Sequence, residues 1–392
     1  MSGPKLSEFT VKADLSELFK KIVARECGLR ESLGFMQCML CEMEEEQADP
    51  DTSEFKLAEL TSLRETVSTR FVEYSGIIEK ALAKTTDMAG IGKAVDALVE
   101  QNKLEEASNM IRQANSEMLV SLSKQEKEIS EFIGKSKNEL TGIIEKYTTA
   151  SVESISAAPP KRDKHTRIEE SRERKQRITH EHILKLTVRY NALCAAKKRE
   201  PFALQGFPVT EEYAKEMEAR IQRMQDEMVR DREQAYIQKT VERLISGMGH
   251  EIVGHRDYPD SGNPELFKSE LYRCGGSSAI KASYSSNGAV LMEIVGLSDT
   301  EREPTGAETA MLCNEMESFC QEFSELRQNL KYLGIYQSMV YERSVEEKHA
   351  RIESIRDYTL QDGVSTESLL MESDTRKSAA TPEKMYLTLA SD

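Results

Sequence analysis

Hydrophobic side chains recur at Leu312, Met316, Phe319, Phe323, Leu326, Leu330 and Leu333, alternately four and three residues apart. That spacing keeps one apolar stripe on one side of a helix for about six turns. Such a stripe has to be covered, either by another helix in a coiled-coil seam or by a sheet. The same spacing returns at Met217, Ile221, Met224 and Met228, and again at Ile237, Val241, Leu244 and Met248. These stripes are the candidate seams for a protein partner or a second copy of the chain. The chain is therefore expected to be mainly α.

Helical patterning fills most of the remaining sequence. Leu15, Leu18, Phe19, Ile22, Val23 and Leu29 begin a first helix that Asp49-Pro50-Asp51 should end. Leu57, Leu60, Leu63, Val67, Phe71, Tyr74 and Ile78 mark a second, over about 54–84, and a long helix follows from Leu104 to near Tyr147. Short connections between long helices predict an N-terminal bundle or coiled coil over 1–150. Ala157-Ala158-Pro159-Pro160 breaks the pattern and opens a basic linker, 151–177. A helical arm is expected over 178–248, with Thr210 capping its second helix.

Between Gly249 and Leu297 the texture changes. Glu251–Tyr258, Phe267–Cys274, Ala279–Ser285 and Ala289–Leu297 read as four strands of an antiparallel meander. Asn287-Gly288 is a hairpin signal, and Thr305-Gly306-Ala307-Glu308 has the capping-box spacing before the long stripe. Four strands need a covering helix, so 249–335 is expected to be a small α+β module. A C-terminal helix is expected over 336–362. The Ser-, Thr- and Glu-rich stretch 363–392 reads as a disordered tail, and its less polar close, Lys384-Met385-Tyr386-Leu387-Thr388-Leu389, reads as a frayed end, with a short docking peptide as the alternative.

Composition narrows the function classes. With 39% hydrophobic and 6% aromatic residues, no Trp and 17 Met, the apolar groups fit stripes better than one large core. A net charge of −15 argues against nucleic-acid binding over the whole surface. One local exception is the run of Lys161, Arg162, Lys164, Arg167, Arg172, Arg174, Lys175 and Arg177. It carries no aromatic residue for base stacking. Seven cysteines, an odd number lying mostly in apolar stripes, read as free thiols of a reducing cytoplasm. No run is long and apolar enough for a membrane span.

Motifs for chemistry fall short. In His250-Glu251-Ile252-Val253-Gly254-His255 the second histidine lies one residue beyond the zincin spacing, so the two rings cannot share a zinc from one helix face. Cys38 and Cys41 have no second Cys-x-x-Cys to complete a metal site. Pro259-Asp260 with Glu270 resembles the carboxylate pattern of restriction-type nucleases, but Tyr272 stands where that pattern needs Lys. The sequence thus predicts a cytoplasmic, non-catalytic scaffold or adaptor with no metal or cofactor. It would bind a protein partner through its α+β module or helical seams; the arm's stripes would pair either two copies in a homodimer or, in an elongated monomer, with 178–198 folded back or an N-terminal helix. The alternatives are a nucleic-acid-associated structural protein using 161–177, and an enzyme or effector with a site on the α+β module.

Overall fold

The computed structural model describes residues 3–50, 52–86, 89–153, 164–202, 208, 210–258, 266–285, 288–366 and 369. Among them are seven α-helices: α1 Ala13–Ala48, α2 Glu54–Thr86, α3 Ala89–Glu100, α4 Leu104–Glu153, α5 Lys164–Ala196, α6 Glu211–Gly247 and α7 Gly306–Tyr332. Eight strands accompany them: β1 Lys5–Val11, β2 Ile252–Asp257, β3 Leu266–Gly275, β4 Ser278–Ser285, β5 Ala289–Ser298, β6 Ile335–Glu342, β7 Ile352–Ser354 and β8 Thr359–Leu360. The chain forms two compact units, each assembled from separated stretches.

One unit comprises Ser16–Lys93 and Ile111–Arg232 and is helical. Its main core joins α1, α2 and α4 through Ile22, Leu29, Met36, Leu60, Val67, Leu122 and Ile129. Lys146 of α4 pairs with Glu59 of α2, and Phe132 packs on Tyr74. The numbers run in opposite directions, so these helices are antiparallel, as short connections require. A second core joins α1, α5 and α6, and it buries Met217, Ile221 and Met224, with Met228 packed against it. His182 meets Glu218 and Lys197 meets Glu227, so α5 and α6 run parallel. Thr210 caps α6, accepting the Tyr213 amide at 3.2 Å.

The other unit comprises Met1–Leu15, Ala94–Met110 and Glu233–Asp392 and carries the sheet. The strand order is β6-β1-β5-β4-β3-β2-β8, all antiparallel, with β7 lying parallel to the end of β5. The four expected strands are consecutive neighbours in it, but the sheet has eight strands, not four. β1 is invisible to alternation because two of its inward positions are Lys5 and Ser7, which are fully buried beside Phe9. The Lys5 ammonium lies 5.0 Å from the centre of the Phe323 ring.

The expected C-terminal helix over 336–362 is absent. That stretch forms β6, β7 and β8 with two short 3-10 turns. Its Ile, Val and Tyr content suits a pleated surface, and Gly334, at φ +78°, turns the chain out of α7 into β6. The start of the expected disordered tail is also ordered. Leu369 is 1% exposed in a core with Val253, Leu271, Ala279, Val295 and Tyr358. The remainder of that tail, including 384–389, lies outside the described residues.

The stripe of α7 is buried inside this unit: Leu312, Met316, Phe319, Phe323, Leu326, Leu330 and Leu333 are each at most 4% exposed. Its N-terminus carries the expected capping box between Thr305 and Glu308. The α7 stripe is thus covered by a sheet face, and Met217, Ile221 and Met224 of α6 by α1 and α5, with Met228 partly buried beside them. No helix of the described residues is long and apolar enough to cross a membrane.

Candidate functional site: a buried carboxylate cluster and a free sheet edge

Alternation along β3 and β4 sends Lys268, Glu270, Tyr272, Ala282 and Tyr284 to the face that α6 and α7 cover. Glu270 sits there at 1% exposure. Its carboxylate accepts from Tyr272 Oη at 2.6 Å, Tyr284 Oη at 3.1 Å and Gln238 Nε2 at 2.7 Å. Lys268 Nζ lies 2.9 Å away. Four donors around one buried carboxylate are what burial of a charge requires. Burial, reinforced by the neighbouring Tyr284 and Glu270, pushes the Tyr272 hydroxyl well above the usual phenol range. Tyr272 replaces the lysine of the nuclease-like pattern and uses its hydroxyl to hold Glu270. The cluster is sealed and ties α6 to the sheet.

Next to it lies an open cleft of about 370 Å3, lined by Asp96, Glu100, Lys239, Glu242, Arg243 and Ser246. Burial first, then the charge of Glu270, raises the Glu242 carboxyl above its usual range. Arg243 Nε donates to Asp96 Oδ1 at 2.7 Å. The lining mixes both signs, and no group of three or more His, Cys, Asp or Glu among the described residues is placed to hold a metal. His250 has other uses: Nδ1 lies 2.9 Å from the Arg273 carbonyl and Nε2 lies 2.8 Å from Glu322. His255 is in β2, opposite Glu270 in the ladder. Cys38 and Cys41 share a turn of α1. Burial pushes the Cys27 and Cys274 thiols up to about 12.

The opposite face of the sheet is covered over part of its width. There Val253, Leu271, Ala279, Val295 and Leu297 lie under Ile355, Tyr358 and Leu369. Lys281 pairs with Glu353, and Glu293 with Arg351, fastening the β7 segment across this face. Toward β1 and β6 the cover ends. Registers place Leu6, Leu291, Tyr336, Ser338 and Tyr341 together on this side, where Tyr336 is 44% and Tyr341 36% exposed. β6 ends the sheet, so its outer side has no strand beside it among the described residues.

The hydrogen-bond phase on β6 is fixed by its pairing with β1. Lys12 N donates to Gly334 O, and the register runs on to Thr10 opposite Tyr336 and Glu8 opposite Ser338. Alternation therefore aims the Gln337 N–H and C=O away from β1, toward the outside. β6 has no Pro, and its one charged residue is Glu342 at its end; its pairing with β1 shifts register between Met339 and Tyr341, so a bulge interrupts the edge there and leaves Ile335–Met339 as its regular stretch. This edge escaped sequence reading; the signal available was the β-branched and aromatic run after Gly334.

Of the basic run, Lys164, Arg167, Arg172, Arg174, Lys175 and Arg177 fall in α5, which therefore begins inside the expected linker. Their side chains, like Lys161 and Arg162 altogether, lie outside the described residues. The chain matches no protein-family model, no curated protein and no solved structure.

Proposed function

We propose that this chain is a non-catalytic interaction protein whose α+β unit takes a protein partner at the free edge of β6. The supporting observation is that edge itself: an eight-residue strand with outward-facing backbone groups beside the exposed rings of Tyr336 and Tyr341. Extended peptides add to such edges, drawing affinity from main-chain hydrogen bonds and specificity from alternate side chains. The helical seams proposed from the sequence carry no part of this reading, since their residues are buried, Met228 partly.

Gln337→Pro tests it. Proline removes the outward N–H yet keeps the extended φ that an edge strand tolerates. Gln337→Ala is the control, because the Gln337 side chain donates to Ser7 Oγ and both variants lose that bond. Proteins captured by the wild-type chain should be retained by Gln337→Ala and lost by Gln337→Pro. Equal recovery with both variants overturns the reading.

A further inference from the structure

We propose that Lys5 and Cys320 form a redox-sensitive pair, which a peroxide joins through a sulfur–nitrogen bond that fastens β1 to α7. The pair lies on the α7-covered face of the sheet, apart from the outer edge of β6, and does not rest on partner binding there.

A lysine stands where the alternation of β1 calls for an apolar residue. Lys5, Ser7 and Phe9 share the buried face of the strand, and Lys5 is 0% exposed. A buried amine needs partners for its head group. Lys5 Nζ donates to Cys320 Sγ at 3.3 Å and lies 5.0 Å from the centre of the Phe323 ring. Cys320 and Phe323 are one turn apart on α7, so a single face of that helix receives the lysine.

The fold holds the two reactive atoms in place. β1 is paired on both sides, with Lys5 opposite Met292 of β5 and Glu342 of β6. The lysine stem therefore starts from a fixed backbone. Phe323, 3% exposed, covers the amine. A separation of 3.3 Å is within the range from which held groups react. Cys320 is only half-buried, so a small oxidant can meet its sulfur, while Lys5 is sealed behind it.

The chemistry balances in two stages. The peroxide oxidises the Cys320 thiol to the sulfenic acid and is reduced, leaving as water. The Lys5 amine, its extra proton given up to solvent, then attacks the sulfur. The nitrogen–sulfur bond forms as the sulfur–oxygen bond breaks. The departing hydroxyl takes a proton from the nitrogen and leaves as a second water. Two electrons have passed from the pair to the peroxide, and the joined residues are lighter by two hydrogens. Sulfenic acids condense in this way with backbone nitrogens, and a side-chain amine already in contact is the better nucleophile. The bond links positions 315 residues apart, so it restricts the unfolded chain and should stabilise the sheet unit.

The test uses the full chain in its native state, treated with hydrogen peroxide, alkylated at its remaining thiols and digested with trypsin. A modified Lys5 resists cleavage. The segment from Met1 to Lys12 should therefore appear joined to that from Glu303 to Arg327, lighter by two hydrogens than the two together. Fragmentation should place the link on Cys320, not Cys313. The urea midpoint should rise on oxidation, and dithiothreitol should reverse both changes. Cys320→Ser should show neither. Lys5→Met keeps the length and apolar stem of the side chain, and its Cys320 should be trapped as sulfenic acid by dimedone. Wild-type Cys320 that stops at sulfenic or sulfinic acid, or enters a disulfide, while Lys5 is cleaved normally, overturns the proposal. A joined product that retains an oxygen overturns the sulfur–nitrogen bond. A link formed equally in urea shows that the folded contact has no part in it and overturns the proposal as well. A link that leaves the midpoint unmoved overturns the fastening of β1.

Discussion

Replacing Glu270 by alanine should loosen the whole sheet unit, and the cost follows from its contacts. The substitution strips the acceptor from two buried hydroxyls, Tyr272 and Tyr284, and from the Gln238 amide. Lys268 keeps 24% of its side chain exposed and turns to water. A buried donor left unsatisfied costs about 1–3 kcal/mol, so three of them cost about 4 kcal/mol after some relaxation. Glu270→Gln keeps one acceptor oxygen but aims an amide donor at a position that the carboxylate uses as an acceptor. About 2 kcal/mol is expected for it. Native-state hydrogen exchange at the Ile280 and Ala282 amides reads this directly, because these central residues should open only with the unit. Their exchange should quicken about a thousandfold in Glu270→Ala and about thirtyfold in Glu270→Gln, at tenfold per 1.4 kcal/mol. An acceleration below tenfold in Glu270→Ala would refute the argument. It would mean that water reaches the cluster and replaces the carboxylate.

Other consequences are equally specific. Leu326→Ala removes a fully buried side chain from the α7 stripe and should cost about 3 kcal/mol, read as a lower urea midpoint. Glu308 accepts from the Thr305 amide and from both terminal nitrogens of Arg302, and these bonds hold its carboxyl at about 2, against 4.5 unperturbed. A depressed folded value stabilises above pH 4.5, and that stability disappears as pH falls toward 2. Glu308→Gln should therefore flatten this part of the acid-unfolding profile and leave the profile above it parallel to wild type. Gly334→Ala forces a Cβ into a left-handed backbone conformation and should cost about 1 kcal/mol in thermal melting. Thiol labelling of the native chain should modify exposed Cys41 first and leave buried Cys27 intact until unfolding.

Local periodicity made much of this fold legible. The α7 stripe, its Thr305 capping box, the Thr210 cap of α6 and the order β2-β3-β4-β5 all rest on neighbours a few residues apart in the chain. Hydrophobic spacing and turn chemistry report such neighbours directly. The partner of a stripe is a different matter. The residues from Leu312 to Leu333 suit a coiled coil and a sheet equally well, and only the folded chain lays them on a sheet. β1 and β6 depend on each other across more than three hundred residues, and β1 conceals itself by burying Lys5 and Ser7. Glu270 fits one carboxylate of an incomplete nuclease-like pattern in sequence and becomes a structural anchor once Tyr272, Tyr284 and Gln238 converge on it. The free edge of β6 exists only because the strand order ends there. Sequence thus determined the long helices and the four meander strands, because those follow from short-range pattern, but not 336–362, whose strands take their partners from distant parts of the chain. Tertiary structure alone decided what covers each face and which edge stays open, because long-range pairing leaves no local trace in the chain.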